Sequence, residues 1–140
     1  MTALAEAFHM AVHFKETAMR RPELHILVVE NQYLIAMEVE RILVESLECQ
    51  VNICACAKLE DELAAAAYGV VIIDAAPSAD LNRSRAQHIA STGAAVVFLS
   101  SYDELAQDPA PIEGAMILTK PLDADLLPRT IVTAVGARND

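Results

Sequence analysis

The chain has 140 residues and a formal net charge of −10, with 54% hydrophobic residues and no Trp. One domain of this length hides roughly two-thirds of its unfolded surface, so it builds a core without metals or cross-links. Its acidity, with basic residues scattered apart from Arg20-Arg21 and Arg83/Arg85, argues against a nucleic-acid face, and no apolar run reaches membrane-spanning length.

Residues 1–23 read as an N-terminal helical extension. Leu4, Phe8, Val12 and Met19 form a loose apolar stripe, and Pro22 ends it. His9 and His13 are four apart and read as polar-face residues rather than a metal pair. Residues 24–29 are an unbroken apolar run apart from His25, as a buried strand requires. A helix follows over 32–47, with Leu34, Ile35, Val39, Ile42, Leu43 and Leu47 at helical spacing. A second strand is expected over 51–55. Cys54 and Cys56 fall in this region and, with no second Cys/His pair at ligand spacing, read as structural. Cys49 makes the cysteine count odd, which fits a reducing cytoplasm. An Ala-rich helix over 58–67 is closed by Tyr68-Gly69.

The third strand, 70–73, runs into Asp74. A helix over 81–92 stops at Gly93, and a fourth strand covers 95–99. The stretch 102–114 holds Pro109 and Pro111 and little apolar material, so only a reduced fourth helix is expected there. A fifth strand covers 115–118, and a last helix runs over 123–135 with Asp123 as N-cap. Strands alternating with helices imply a parallel sheet covered on both faces.

Ligands on such a sheet gather at the carboxyl ends of the strands. There the chain places Glu30-Asn31, Asp74, Ser100-Ser101 and Thr119-Lys120-Pro121. Two acids, a hydroxyl and an amine converging from four segments suit phosphoryl transfer. Asp74 is a carboxylate nucleophile able to form an acyl phosphate. Glu30, Asn31, Asp74 and the backbone carbonyl of Ala76 offer hard oxygens to Mg²⁺, which offsets charge on the transferring oxygens. Lys120 adds a second positive charge, and Ser100 a hydroxyl that bonds a phosphoryl oxygen once one is present. Taken singly, Asp74 could be a turn residue, Asn31 the N-cap of the first helix, and Tyr102 a packing aromatic. His88 reads as a surface residue.

These residues also carry a family resemblance. Residues 26–32 (ILVVENQ) resemble the first strand and acidic turn of two-component receiver domains. Residues 70–74 (VVIID) resemble their phosphoacceptor strand, 97–102 (VFLSSY) their switch strand, and 120–122 (KPL) their Lys-Pro-Phe segment. The resemblance spans about residues 24–136. It implies a flavodoxin-like (βα)5 receiver fold with a parallel five-stranded sheet in order 2-1-3-4-5, a receiver domain over 24–137, and a cis Lys120-Pro121 bond. It further implies a stand-alone response regulator, in the cytoplasm, that accepts a phosphoryl group on Asp74 from a histidine kinase or phosphotransfer protein. Such a protein signals by protein contact and is not an enzyme beyond self-catalysed phosphotransfer and dephosphorylation. The weak fourth helix and the Tyr102 region are similar to a divergent class paired with unorthodox histidine kinases.

The chain departs from the family where two acids usually follow the first strand. The second is Asn31, which weakens the expected Mg²⁺ site and opens the alternative of a pseudo-receiver, a binding module that is not phosphorylated. Ile117 takes the place of an aromatic that swings inward on activation, so the expected switch set is Ser100, Tyr102 and Ile117. A haloacid-dehalogenase-type phosphatase would want a second Asp at Ala76, and a flavodoxin a phosphate loop at Glu30–Tyr33. The Leu4/Phe8/Val12 stripe is expected to pack on the receiver or on a second copy, which would give a homodimer. The downstream partner is not legible.

Overall fold

The short apolar runs form five strands: β1 (Leu24–Val29), β2 (Cys49–Cys54), β3 (Val70–Asp74), β4 (Ala95–Ser100) and β5 (Met116–Thr119). All pair in parallel, in the order β2-β1-β3-β4-β5. The helices of the described chain are α1 (Tyr33–Ser46), α2 (Leu59–Ala65), α3 (Ala79–Ser91) and α4 (Leu126–Asn139). The computed structural model describes residues 23–101, 113–120 and 122–139. Expectations for the N-terminal extension with His9 and His13, for Tyr102, for most of the 102–114 stretch and for the Lys120-Pro121 bond fall outside these residues.

Successive strand residues point to opposite faces, and each face is covered. On one side Ile26, Val28, Val70, Ile72, Val97 and Leu99 meet Ala36, Val39, Ile42 and Leu43 of α1 and Leu127, Ile131 and Ala134 of α4. On the other, Leu27, Val29, Val71, Ile73, Val96 and Phe98 meet Leu59 of α2 and Ala86 and Ile89 of α3. This two-sided cover explains why β4 is buried along its whole length.

Several boundaries differ from the sequence expectation. β2 starts at Cys49 rather than at 51, because it is an edge strand with Gln50 and Asn52 turned outward, not a continuous apolar run. α2 ends at Ala65, and Gly69 is not its cap. Tyr68 instead buries its ring, and its hydroxyl at the part-buried margin donates to Glu62 Oε2 and accepts from Asn52 Nδ2, both at 3.0 Å. Gly69 lies against Leu24: a Cβ there would meet Leu24 Cδ1 at 2.7 Å, so the end of that side chain would have to shift. α3 starts at Ala79, because Ser78 accepts the Leu81 N–H and caps it. Gly93 does stop that helix, with φ of 96°. α4 begins at Leu126, with Asp123 accepting the N–H groups of Asp125 and Leu126.

Candidate functional site

Three strand ends meet at one cation. Glu30 directly follows β1 and is buried. Its Oε1 accepts the Gln32 N–H at 3.0 Å, and its Oε2 accepts from Lys120 Nζ at 3.1 Å. Asp74 closes β3, and its Oδ1 accepts from the same Nζ at 2.9 Å. Lys120 follows β5, and its backbone N–H donates to the Ser100 carbonyl at 2.8 Å, extending the β4–β5 ladder by one bond. Side-chain exposure rises from 1% at Glu30 through 14% at Lys120 to 31% at Asp74. Asp74 is therefore the most exposed of the three, and its Oδ2 has no hydrogen bond among the described residues.

Burial alone would push the Lys120 ammonium down. Its hydrogen bonds to Asp74 and Glu30, with their charges, outweigh that and hold it above the usual lysine range.

The other expected site residues divide. Ser100 ends β4, fully buried, one position past Leu99, the register partner of Asp74. Ile117 lies on β5 opposite Phe98 and packs against the α2–α3 side of the core. Asn31 is not the N-cap of α1. Gln32 holds that position without a side-chain bond, and Asn31 Oδ1 instead accepts the Cys56 N–H at 2.9 Å. Asn31 thus ties the β2–α2 loop to the end of β1. His88 is exposed, as expected.

Sequence reasoning missed Asn82. Its side chain is wholly buried and engages both backbone groups of Ala76, two residues past Asp74. The signal was present: Asn82 shares the buried stripe of α3 with Ala86 and Ile89, where a polar residue needs a reason.

No cluster of three or more His, Cys, Asp or Glu side chains among the described residues could hold a metal. Glu30, Asp74, Asn31 and the Ala76 carbonyl carry oxygens of the kind hard cations take, with both Glu30 oxygens, Asn31 Oδ1 and the Ala76 carbonyl already accepting one hydrogen bond each.

The three cysteines are free thiols, Cys54 buried and Cys49 and Cys56 half-buried. Burial, with smaller contributions from Glu62 and Cys56, pushes the Cys54 thiol up to about 11. The thiol of the unfolded chain ionises first, near its ordinary 9.0, so Cys54 supports the fold fully below that pH. Stability should then fall as pH climbs from 9.0 toward about 11. Urea titrations of the native chain and of Cys54→Ala across that window test this. The variant should lack part of the alkaline decline, and identical profiles would refute it.

No family model matches the chain, and no curated protein matches it by sequence. Solved structures do match. A response regulator receiver protein from Sinorhizobium medicae WSM419 superposes with a TM-score of 0.70 at 19% identity, covering 83% of this chain and 97% of that one. A sensor protein from Polaromonas sp. JS666 gives 0.69 at 21%, covering 84% and 99%. A response regulator from Thermotoga maritima gives 0.66 at 16%, covering 81% and 98%. The chain has the receiver fold. In this receiver fold Glu30, Asp74 and Lys120 stand together at the carboxyl edge of the sheet, where open parallel sheets bind ligands. No helix among the described residues is long and apolar enough to cross a membrane.

Proposed function

We propose that the chain is a cytoplasmic response regulator of a two-component relay, with Asp74 as phosphoacceptor. The observation that carries this reading is the Lys120 ammonium held between Asp74 and Glu30 by contacts spanning three strand ends. Lys120 occupies one Asp74 oxygen, Oδ1, and leaves Oδ2 to attack. Asp74 Oδ2 would displace the imidazole of a phosphohistidine on a kinase or phosphotransfer protein. The O–P bond forms as the P–N bond breaks, and the electron pair leaves with the imidazole nitrogen, which takes up a proton. The product is an acyl phosphate on Asp74.

Mg²⁺ bound through Glu30, Asp74, Asn31 and the Ala76 carbonyl would offset negative charge on the phosphoryl oxygens. Lys120 supplies the protein's own share of that charge. Ser100, buried at the end of β4, is proposed to donate its hydroxyl to the new phosphoryl group. With Ile117 and Tyr102, it would relay the change outward by protein contact.

One observation favours a second reading, a pseudo-receiver that binds a partner without being phosphorylated. The side-chain oxygen of Asn31 is already engaged by the Cys56 N–H, and the residue brings no charge to a cation.

Intact-protein mass after incubation with acetyl phosphate and Mg²⁺, with Asp74→Asn in parallel, separates the two. The expected result is a gain of one phosphoryl mass in the native chain and none in the variant. No gain with acetyl phosphate or with a phosphorylated cognate kinase would leave the pseudo-receiver.

A further inference from the structure

Asn82 is out of keeping with its surroundings. It lies in the first turn of α3, on the stripe that Ala86 and Ile89 bury against the sheet, and it is 0% exposed. An amide there forgoes the packing and helix propensity of a Leu, and its burial is unfavourable unless its polar atoms are met. They are met by one residue. Asn82 Oδ1 accepts the Ala76 N–H at 2.8 Å, and Asn82 Nδ2 donates to the Ala76 carbonyl at 2.8 Å.

A side chain that pairs with both backbone groups of one residue copies the bond exchange of neighbouring strands. It therefore continues, past the end of β3, the order that the sheet imposes on Asp74. Ala75 is held from the β4 side by its own N–H, donated to the Leu99 carbonyl at 2.8 Å. The two residues after Asp74 are thus fixed in turn, Ala75 by the sheet and Ala76 by α3. Without Asn82, the Ala76 peptide would be a loop peptide leading to the exposed Pro77 and Ser78. A carbonyl oxygen accepts two bonds, and Asn82 uses one of them.

We propose that Asn82 is a positioning residue of the acceptor site: its carboxamide fixes the Ala76 peptide so that the Ala76 carbonyl, with Asp74 and Glu30, can hold Mg²⁺. The proposal rests on the receiver reading above and adds to it a residue from the helix that follows the acceptor loop. It would let the site hold the cation with Asn31 in place of an acid. With fewer charges on the cation, the neutral ligand must be held in place beforehand, because outer partners that orient a ligand commonly change metal affinity by about 10–100-fold.

The test is Mg²⁺ affinity without any phosphodonor, measured by calorimetry and by the Asp74 and Ala76 amide shifts. The variants are Asn82→Leu, which keeps bulk and helix propensity but loses both bonds, and Ser78→Ala, which loosens the start of the same helix without touching Ala76. Asn82→Ser is held in reserve should the Leu variant fail to fold. The expected result is a Kd raised about tenfold or more in Asn82→Leu and changed less than about twofold in Ser78→Ala. Phosphoryl uptake by Asn82→Leu should recover at saturating Mg²⁺. Unchanged affinity in Asn82→Leu overturns the proposal, and so does equal weakening in both variants, which would be an effect of helix stability alone. The native chain separates the two levels of failure. Uptake that needs no Mg²⁺ overturns this proposal and leaves the receiver reading standing, whereas neither uptake nor Mg²⁺ binding overturns both.

Discussion

Replacing Lys120 with Ala is expected to destabilise the fold by about 3 kcal/mol at neutral pH and to stop phosphoryl transfer to Asp74. The ammonium is the cation that both carboxylates contact, and one of those carboxylates, Glu30, has a side chain only 1% exposed. Removing one partner of a buried pair leaves an uncompensated charge, which commonly costs about 3–5 kcal/mol. The lower end applies because Asp74 is 31% exposed and partly screened by water. For a domain of this size such a loss lowers the melting temperature by roughly 10 °C.

Lys120→Met, which keeps the length of the chain without its charge, should lose nearly as much. The native bridge holds the Lys120 proton, so its contribution is whole below the ordinary lysine value of 10.5 and is lost as pH rises beyond it. The deficit of the variant should therefore shrink in alkali. Urea unfolding at neutral and alkaline pH reads both, and a midpoint unmoved by either substitution would mean the three side chains are solvated independently.

The second large effect lies in the core. Phe98→Ala is expected to lower stability by about 4 kcal/mol, and Phe98→Leu by well under half of that. Phe98 is fully buried on β4, flanked in register by Ile73 on β3 and Ile117 on β5. The helices on this face contribute Leu59 and Leu63 from a seven-residue α2 and Ala86, Ile89 and Ala90 from α3. The described side chains of this cluster are held by the strands and helices that carry them, so much of the cavity left by the ring should persist. Guanidinium titration decides it. A loss below about 1.5 kcal/mol would show that this face repacks freely.

How legible these features were depended on what each segment has to do. β1, β3 and β4 are covered on both faces, so their apolar runs announce them, and each carries its polar residue at the end where the site lies. That made Glu30, Asp74, Ser100 and Lys120 readable as a group, and the structure brings Glu30, Asp74 and Lys120 into direct contact. The strand order followed from the resemblance rather than from any local pattern.

β2 was read too short because an edge strand shows alternation, with Gln50 and Asn52 outward, and not a run. Tyr68-Gly69 looked like a helix stop because that pair ends helices often. What Gly69 meets is Leu24, a neighbour from a segment far away in sequence. Asn31 and Asn82 were harder for the same reason. Each amide bonds the backbone of another loop, Cys56 and Ala76 respectively, and backbone partners leave no side-chain signature to match.

β5 has a consequence for how the protein fails. It is the shortest strand among the described residues, four residues and only half-buried, yet it covers the outer edge of β4. The residues of β4, AVVFLS, contain no charge, no proline and no glycine, the composition of segments that stack into cross-β fibrils. A chain truncated before Met116, or one whose last strand frays, would offer that edge to other copies. The strand that shields this edge is therefore the same short one that delivers Lys120, so lesions that loosen the Glu30–Asp74–Lys120 cluster from this side should show up as insoluble protein.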